Sequence, residues 1–141
     1  MPVETIRPIA ICVCRDRGRI LVAEYCENGR RYYRPLGGAI EFGERGAETV
    51  RREFREEIGA DLVEVRYLGT LENIYSIDGK RAHQIVLVYD GRFSDPVLYE
   101  KEMIQGDESG EPFKAIWKEL NEFESGKPPV YPDGLFELLR T

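Results

Sequence analysis

The 141-residue chain has no run of eighteen apolar residues, so nothing in it reads as a membrane-spanning helix. It has one histidine and three cysteines, Cys12, Cys14 and Cys26, with no CxxC pair among them. That argues against a Cys/His zinc site, and the odd cysteine count reads as buried, reduced thiols rather than disulfides. The formal net charge is −6 and no basic stripe stands out, so a DNA duplex is not an expected partner. Residues 1 to 11 carry charges together with Pro2 and Pro8 and lack the apolar core and cleavage site of a secretory leader, which makes a cytoplasmic location the default expectation. With no internal repeat, linker or low-complexity tract, one domain over residues 1–141 is the simple organisation.

What is present is an ordinary globular composition, 42% apolar and 33% charged. Residues 6 to 14, IRPIAICVC, and 19 to 23, RILVA, read as two strands joined at Asp16-Arg17-Gly18. Asn28-Gly29 signals a second turn, and residues 31 to 36 form a short aromatic segment ending at Pro35 and the Gly37-Gly38 pair. Residues 62 to 75 and 83 to 89 read as strands flanking an Asp78-Gly79 hairpin turn. The polar stretch 100 to 112 reads as a surface loop, 113 to 117 as a short strand, and 134 to 139 as a terminal helix after Pro128, Pro129 and Pro132. The expected fold is α/β (α+β), a mixed sheet in a single domain.

The clearest helix runs from Gly43 to Ile58, with Ala47, Val50, Phe54 and Ile58 on one apolar face and Gly59 as its stop. At about 100° per residue, Glu53, Glu56 and Glu57 gather on the adjoining face. Like charges three and four residues apart repel, and a bound hard cation removes that penalty. Taken alone, an REFREE segment is common on solvated helix faces.

Its surroundings add specificity: Gly38, five residues, Glu44, seven residues, Arg52-Glu53-Phe54, one residue, Glu56-Glu57, one residue, Gly59, Ala60. This 23-residue pattern resembles the Nudix box at every fixed position, departing only in a small Ala60 where a larger aliphatic residue is usual. Seven specified residues match by accident about once in a million chains of this length. The resemblance implies a Nudix-type domain, a mixed sheet sandwiched between helices. It also implies hydrolysis of a phosphoanhydride bond in a nucleoside-diphosphate-linked small molecule, with Mg²⁺, or alternatively Mn²⁺, as cofactor. By the same resemblance Glu53 and Glu57 are the principal metal ligands, Glu56 is a further ligand or a base, and Arg52 pairs with Glu44 to orient the loop. Gly37 and Gly38 let the backbone turn sharply close to a ligand. A homodimer is expected by family analogy alone.

Outside the box the readings stay open. Arg34 either meets a substrate phosphate or is a strand-end surface charge. Tyr32, Tyr33 and Tyr75 either stack on a base or pack against the sheet. His83 reads as structural and Trp117 as core. The general base is either a box glutamate or one of Glu100, Glu102, Asp107, Glu108 and Glu111, with Glu108 or Glu111 favoured by their place just before the Trp117 strand. Candidate substrates span nucleoside triphosphates, ADP-ribose-like sugars, dinucleoside polyphosphates and capped RNA. The main alternative is a non-catalytic Nudix-like nucleotide sensor, although such proteins usually lose box glutamates and all four are present here. An acidic helix that only docks a basic partner would leave the glycines unexplained.

Overall fold

The computed structural model describes residues 4–140. Met1, Pro2 and Val3 of the stretch read for a leader lie outside the described residues. Eight strands and two helices follow in order: β1 (Ile6–Asp16), β2 (Arg19–Glu27), β3 (Arg30–Arg34), β4 (Leu36–Ala39), α1 (Gly46–Ile58), β5 (Leu62–Ile77), β6 (Lys80–Phe93), β7 (Met103–Glu108), β8 (Glu111–Glu119) and α2 (Leu135–Leu139).

Four hairpins are closed by two-residue turns in which both residues are left-handed: Arg17-Gly18, Asn28-Gly29, Asp78-Gly79 and Ser109-Gly110. That conformation matches the right-handed twist of the flanking strands, and glycine in the second place makes it inexpensive. The strands form a mixed sheet in the order β5-β6-β1-β2-β8-β7, with β3 added to β2 and β4 added to β1. The β1–β6 pairing is parallel, and the other ladders are antiparallel.

Alternation along β1, β2 and β6 fills both faces of the sheet. Ala10, Cys12, Leu21, Ala23 and Tyr89 join Val50 and Phe54 of α1 in one core. Ile11, Val13, Ile20, Val22, Val86 and Val88 join Leu135, Phe136 and Leu139 of α2 in the other. The sheet is therefore sandwiched between a long and a short helix, and central strands buried on both faces read as continuous apolar runs. Among the described residues no helix is long and apolar enough to cross a membrane.

Three expectations are corrected. The stretch 100 to 112 is not an irregular loop: it contains a 3₁₀ turn, β7 and the start of β8. An edge strand needs few apolar residues; Ile104 and Gly106 alone are buried along β7, and a Cβ on Gly106 would stand 2.2 Å from the Phe113 ring. The helix begins at Gly46 rather than Gly43, because Gly43 is left-handed and the Arg45 N–H is capped by Glu48 at 2.9 Å. Cys12 and Cys14 are buried free thiols, but Cys26, at the outer end of β2, is exposed.

Candidate active site

β4 hydrogen-bonds along β1 with Gly37 opposite Ile11 and Gly38 opposite Ala10, and α1 lies over it. The two glycines are needed for different reasons. A Cβ on Gly37 would stand 2.1 Å from the Ala10 carbonyl oxygen, so this one permits the strand pairing itself. A Cβ on Gly38 would stand 2.5 Å from the carboxyl carbon of Glu53, so this one lets a helix carboxylate settle on bare backbone.

Arg52 ties the loop to the helix. Its Nε and Nη2 donate to the two Glu44 carboxylate oxygens at 2.8 and 3.0 Å. Nη2 also donates to the Ala39 carbonyl at 3.1 Å, and Nη1 donates to Glu53 at 2.8 Å and Glu56 at 3.3 Å. Glu44 also accepts from the Thr49 hydroxyl at 2.7 Å and the Glu41 amide at 3.2 Å. The Arg52 hydrogen bonds, then Thr49 and the loop backbone, hold the Glu44 carboxyl down at about 2. Glu44 is thus fully engaged as a brace, and a fork-to-fork pair of this kind fixes orientation as well as charge.

Glu53 and Glu57, one turn apart on α1, both line a cleft beside β4. Glu57 is 7% exposed, and its Oε2 is buried with no hydrogen-bond partner. Burial first, then its hydrogen bond with Glu53 and the charges of Glu53 and Glu108, push the Glu57 carboxyl up to about 9. A buried carboxylate oxygen without a donor is costly unless a cation meets it. No three acidic, histidine or cysteine side chains converge into a ready cage among the described residues. Two carboxylates with one orphaned oxygen do fit a hard ion such as Mg²⁺, which takes oxygen ligands and keeps several waters. Glu56 is placed differently: its side chain is 58% exposed, paired with Arg52, and absent from the cleft lining.

The opposite wall comes from β2, β3 and the β7–β8 hairpin. Arg34 lies over the Tyr25 ring at 4.8 Å, donates to the Tyr25 hydroxyl at 3.1 Å, and meets Glu108 at 3.4 Å. The Arg34 and Glu108 side chains are each 41% exposed, so both stay open to the cleft. The cleft has a volume of about 310 Å³. Of the five acidic residues considered for the second half, only Glu108 lines it. Glu100 pairs with Arg17, Asp107 accepts from the Gly110 amide in the hairpin turn, and Glu111 is exposed at the start of β8.

His83 is on β6 outside this cleft, where its neighbour Gln84 faces inward. Tyr33 is core, packed on Phe123, with its hydroxyl donating to Glu24. Trp117 stacks on Tyr99 at the edge of the α1-side core. A second cavity, about 350 Å³, adjoins the cleft, and the two share Ile9, Ile11, Arg34, Tyr75 and Gln84. Tyr25, Gln84, Asn73 and Tyr131 were not singled out from the sequence. For Gln84 a signal existed: it is a polar residue at the head of the apolar run 85–88, on a strand with its central part buried.

Comparison with known proteins agrees with this layout. The profile of the NUDIX domain matches residues 5–138. The NAD-capped RNA hydrolase NudC of Vibrio atlanticus is 34% identical over 65 residues, covering 46% of this chain and 24% of that protein. NudC of Mycobacterium tuberculosis is 39% identical over 66 residues, 46% of this chain and 21% of that protein. The chain therefore spans about a quarter or less of the length of these relatives. Among solved structures, a MutT NUDIX hydrolase from Burkholderia pseudomallei superposes with a TM-score of 0.69 at 22% identity, covering 97% of this chain and 98% of that one. A NUDIX hydrolase from Nitrosomonas europaea also gives 0.69, at 14% identity, covering 96% and 87%. With the domain profile matched along nearly its whole length and its glycine–glutamate–arginine frame assembled around one cleft, the chain belongs to the Nudix family.

Proposed function

We propose that the protein is a metal-dependent pyrophosphohydrolase that cleaves a phosphoanhydride bond in a nucleoside-diphosphate-linked small molecule, a nucleoside triphosphate or nucleotide derivative. One domain, residues 1–141, carries the site. The observation that supports this reading most is the Glu53–Glu57 pair, with Glu57 buried and one of its oxygens unpartnered, facing Arg34 across a cleft. The names of the NudC relatives, which act on NAD-capped RNA, point to the same bond class.

Glu53 and Glu57 would hold the divalent cation, Mg²⁺ or alternatively Mn²⁺, with Glu56 as a further ligand or a base once released from Arg52. When bound, such an ion neutralises diphosphate charge and makes water a competent nucleophile at neutral pH. The chain's own groups do the rest. Arg34 binds a phosphate oxygen with the N–H groups left free by Tyr25 and Glu108. Glu108 takes the proton from the water that attacks phosphorus, as the anhydride P–O bond breaks and two phosphate products separate. Gly37 lets β4 pair closely with β1 and Gly38 lets the Glu53 carboxylate rest on the strand, and together they form the cleft floor beneath the phosphates. Arg52 and Glu44 are positioning residues that hold Glu53 in place.

The test is a hydrolysis screen with Mg²⁺, then Mn²⁺, over nucleoside triphosphates, nucleotide sugars and dinucleoside polyphosphates. The expected outcome is cleavage of one class, abolished by chelator. Nucleotide binding without cleavage of anything would instead make the protein a sensor.

A further inference from the structure

The second cavity contains a hydrogen-bond chain whose direction is fixed by the backbone. The Asp133 N–H can only donate, and it lies 3.2 Å from Asn73 Oδ1. The Asn73 amide nitrogen therefore faces Gln84, and Nδ2 donates to Gln84 Oε1 at 3.2 Å. That turns the Gln84 amide nitrogen toward Tyr75, and Nε2 donates to the Tyr75 hydroxyl oxygen at 3.4 Å. Asn73 and Gln84 are cross-strand partners on β5 and β6, 5% and 9% exposed, so each amide is held by its protein partners. Each donor in the series polarises the next.

The Tyr75 hydroxyl thus accepts from inside the fold and keeps its own proton for the cavity, with no acceptor for it among the described residues. The second Gln84 Nε2 proton is likewise unpartnered. Tyr32 and Tyr131 supply aromatic lining, Tyr32 being stacked on Tyr25 at 5.2 Å and meeting Tyr131 edge-on at 5.9 Å. The cavity opens onto Arg34, where the proposed function places a phosphate. Its volume, about 350 Å³, suits a small planar ring system.

We propose that this cavity is the base subsite, that Tyr75 reads a carbonyl oxygen on the base, and that Asn73 and Gln84 are positioning residues that make it a donor. The class favoured is a keto base over its amino counterpart. An exocyclic amine at the same place would set N–H against O–H and leave the Tyr75 proton without a partner, a loss that is expensive in a desolvated pocket. This inference rests on the pyrophosphohydrolase reading only for the placement of phosphate at Arg34.

The experiment measures dissociation constants, by calorimetry on the full chain in EDTA, for two keto/amino pairs, inosine diphosphate against ADP and UDP against CDP, which differ at one exocyclic group and in the proton on the ring nitrogen beside it. The expected result is about tenfold tighter binding of the keto member in each pair, one hydrogen bond's worth. In Tyr75→Phe that ratio should collapse to about one, and in Asn73→Leu it should fall while the binding of inorganic pyrophosphate is unchanged. During turnover the discrimination should appear in KM more than in kcat. Tyr75→Phe removes one hydroxyl from a half-buried ring, so it tests the idea without endangering the fold. A keto-to-amino ratio near one in the wild type, or a ratio unchanged in Tyr75→Phe, overturns the assignment. Failure of all four nucleotides to bind overturns it as well, and metal-dependent cleavage of some other diphosphate would then leave the pyrophosphohydrolase reading intact.

Discussion

Replacing Glu57 with glutamine should stabilise the metal-free protein and abolish its turnover. The fold holds the Glu57 carboxyl at about 9, against an ordinary value of 4.5, chiefly by burial and by Glu53 beside it. The folded state therefore prefers this group protonated, so the stability it allows is complete below pH 4.5 and is lost as pH climbs toward 9. At pH 7 the shortfall is about 2.5 pH units at about 1.4 kcal/mol each, on the order of 3 kcal/mol. Glutamine has the shape of the protonated acid, and its amide can donate to Glu53. In EDTA at pH 7, thermal unfolding followed by circular dichroism should then show the variant melting roughly 5–10 °C above the wild type. The gap should close near pH 5. Saturating Mg²⁺ should raise the wild type, by about 2.7 kcal/mol at a hundredfold excess over its dissociation constant, and leave the variant almost unmoved. A variant less stable than the wild type at pH 7 in EDTA, or a difference independent of pH, would refute the reasoning.

Other substitutions separate brace from site. Arg52→Lys keeps the charge but puts three donors on one atom and cannot reproduce the forked contacts to Glu44, Ala39, Glu53 and Glu56; kcat should drop at least tenfold with the far-ultraviolet spectrum intact. Gly38→Ala should cost little stability, since the added methyl meets only the movable end of Glu53, yet it should weaken Mn²⁺ binding in a calorimetric titration; Gly37→Ala meets the Ala10 backbone and should unfold on denaturant titration well before the wild type. Phe54→Ala removes a ring that is 1% exposed on the α1 core face, and urea unfolding should report a loss of about 3–5 kcal/mol.

The local fold was legible where the signals are local. All four hairpin turns end in glycine, and the three that follow Arg17, Asn28 and Asp78 formed where the turn signals place them. The fourth, Ser109-Gly110, has the same chemistry but joins strands carrying few apolar residues, so polarity hid it. The helix and its Gly59 stop followed from periodicity, while its first turn was lost to a left-handed Gly43. Helical geometry put three glutamates on one face but could not say which of them the neighbouring strand would cover. β4 covers Glu53 and Glu57 and leaves Glu56 to solvent. Arg34, Glu108, Gln84 and Tyr75 meet only because distant strands are brought side by side, a relation that no local pattern encodes.

The central claim, that Glu53 and Glu57 together hold a divalent cation, is tested most directly by Mn²⁺ binding followed by electron paramagnetic resonance. The wild type should deplete the free-ion signal with saturable stoichiometry, and the folded Glu53→Gln/Glu57→Gln variant should leave it undiminished. Equal depletion by both proteins would contradict the assignment and move the metal away from the helix.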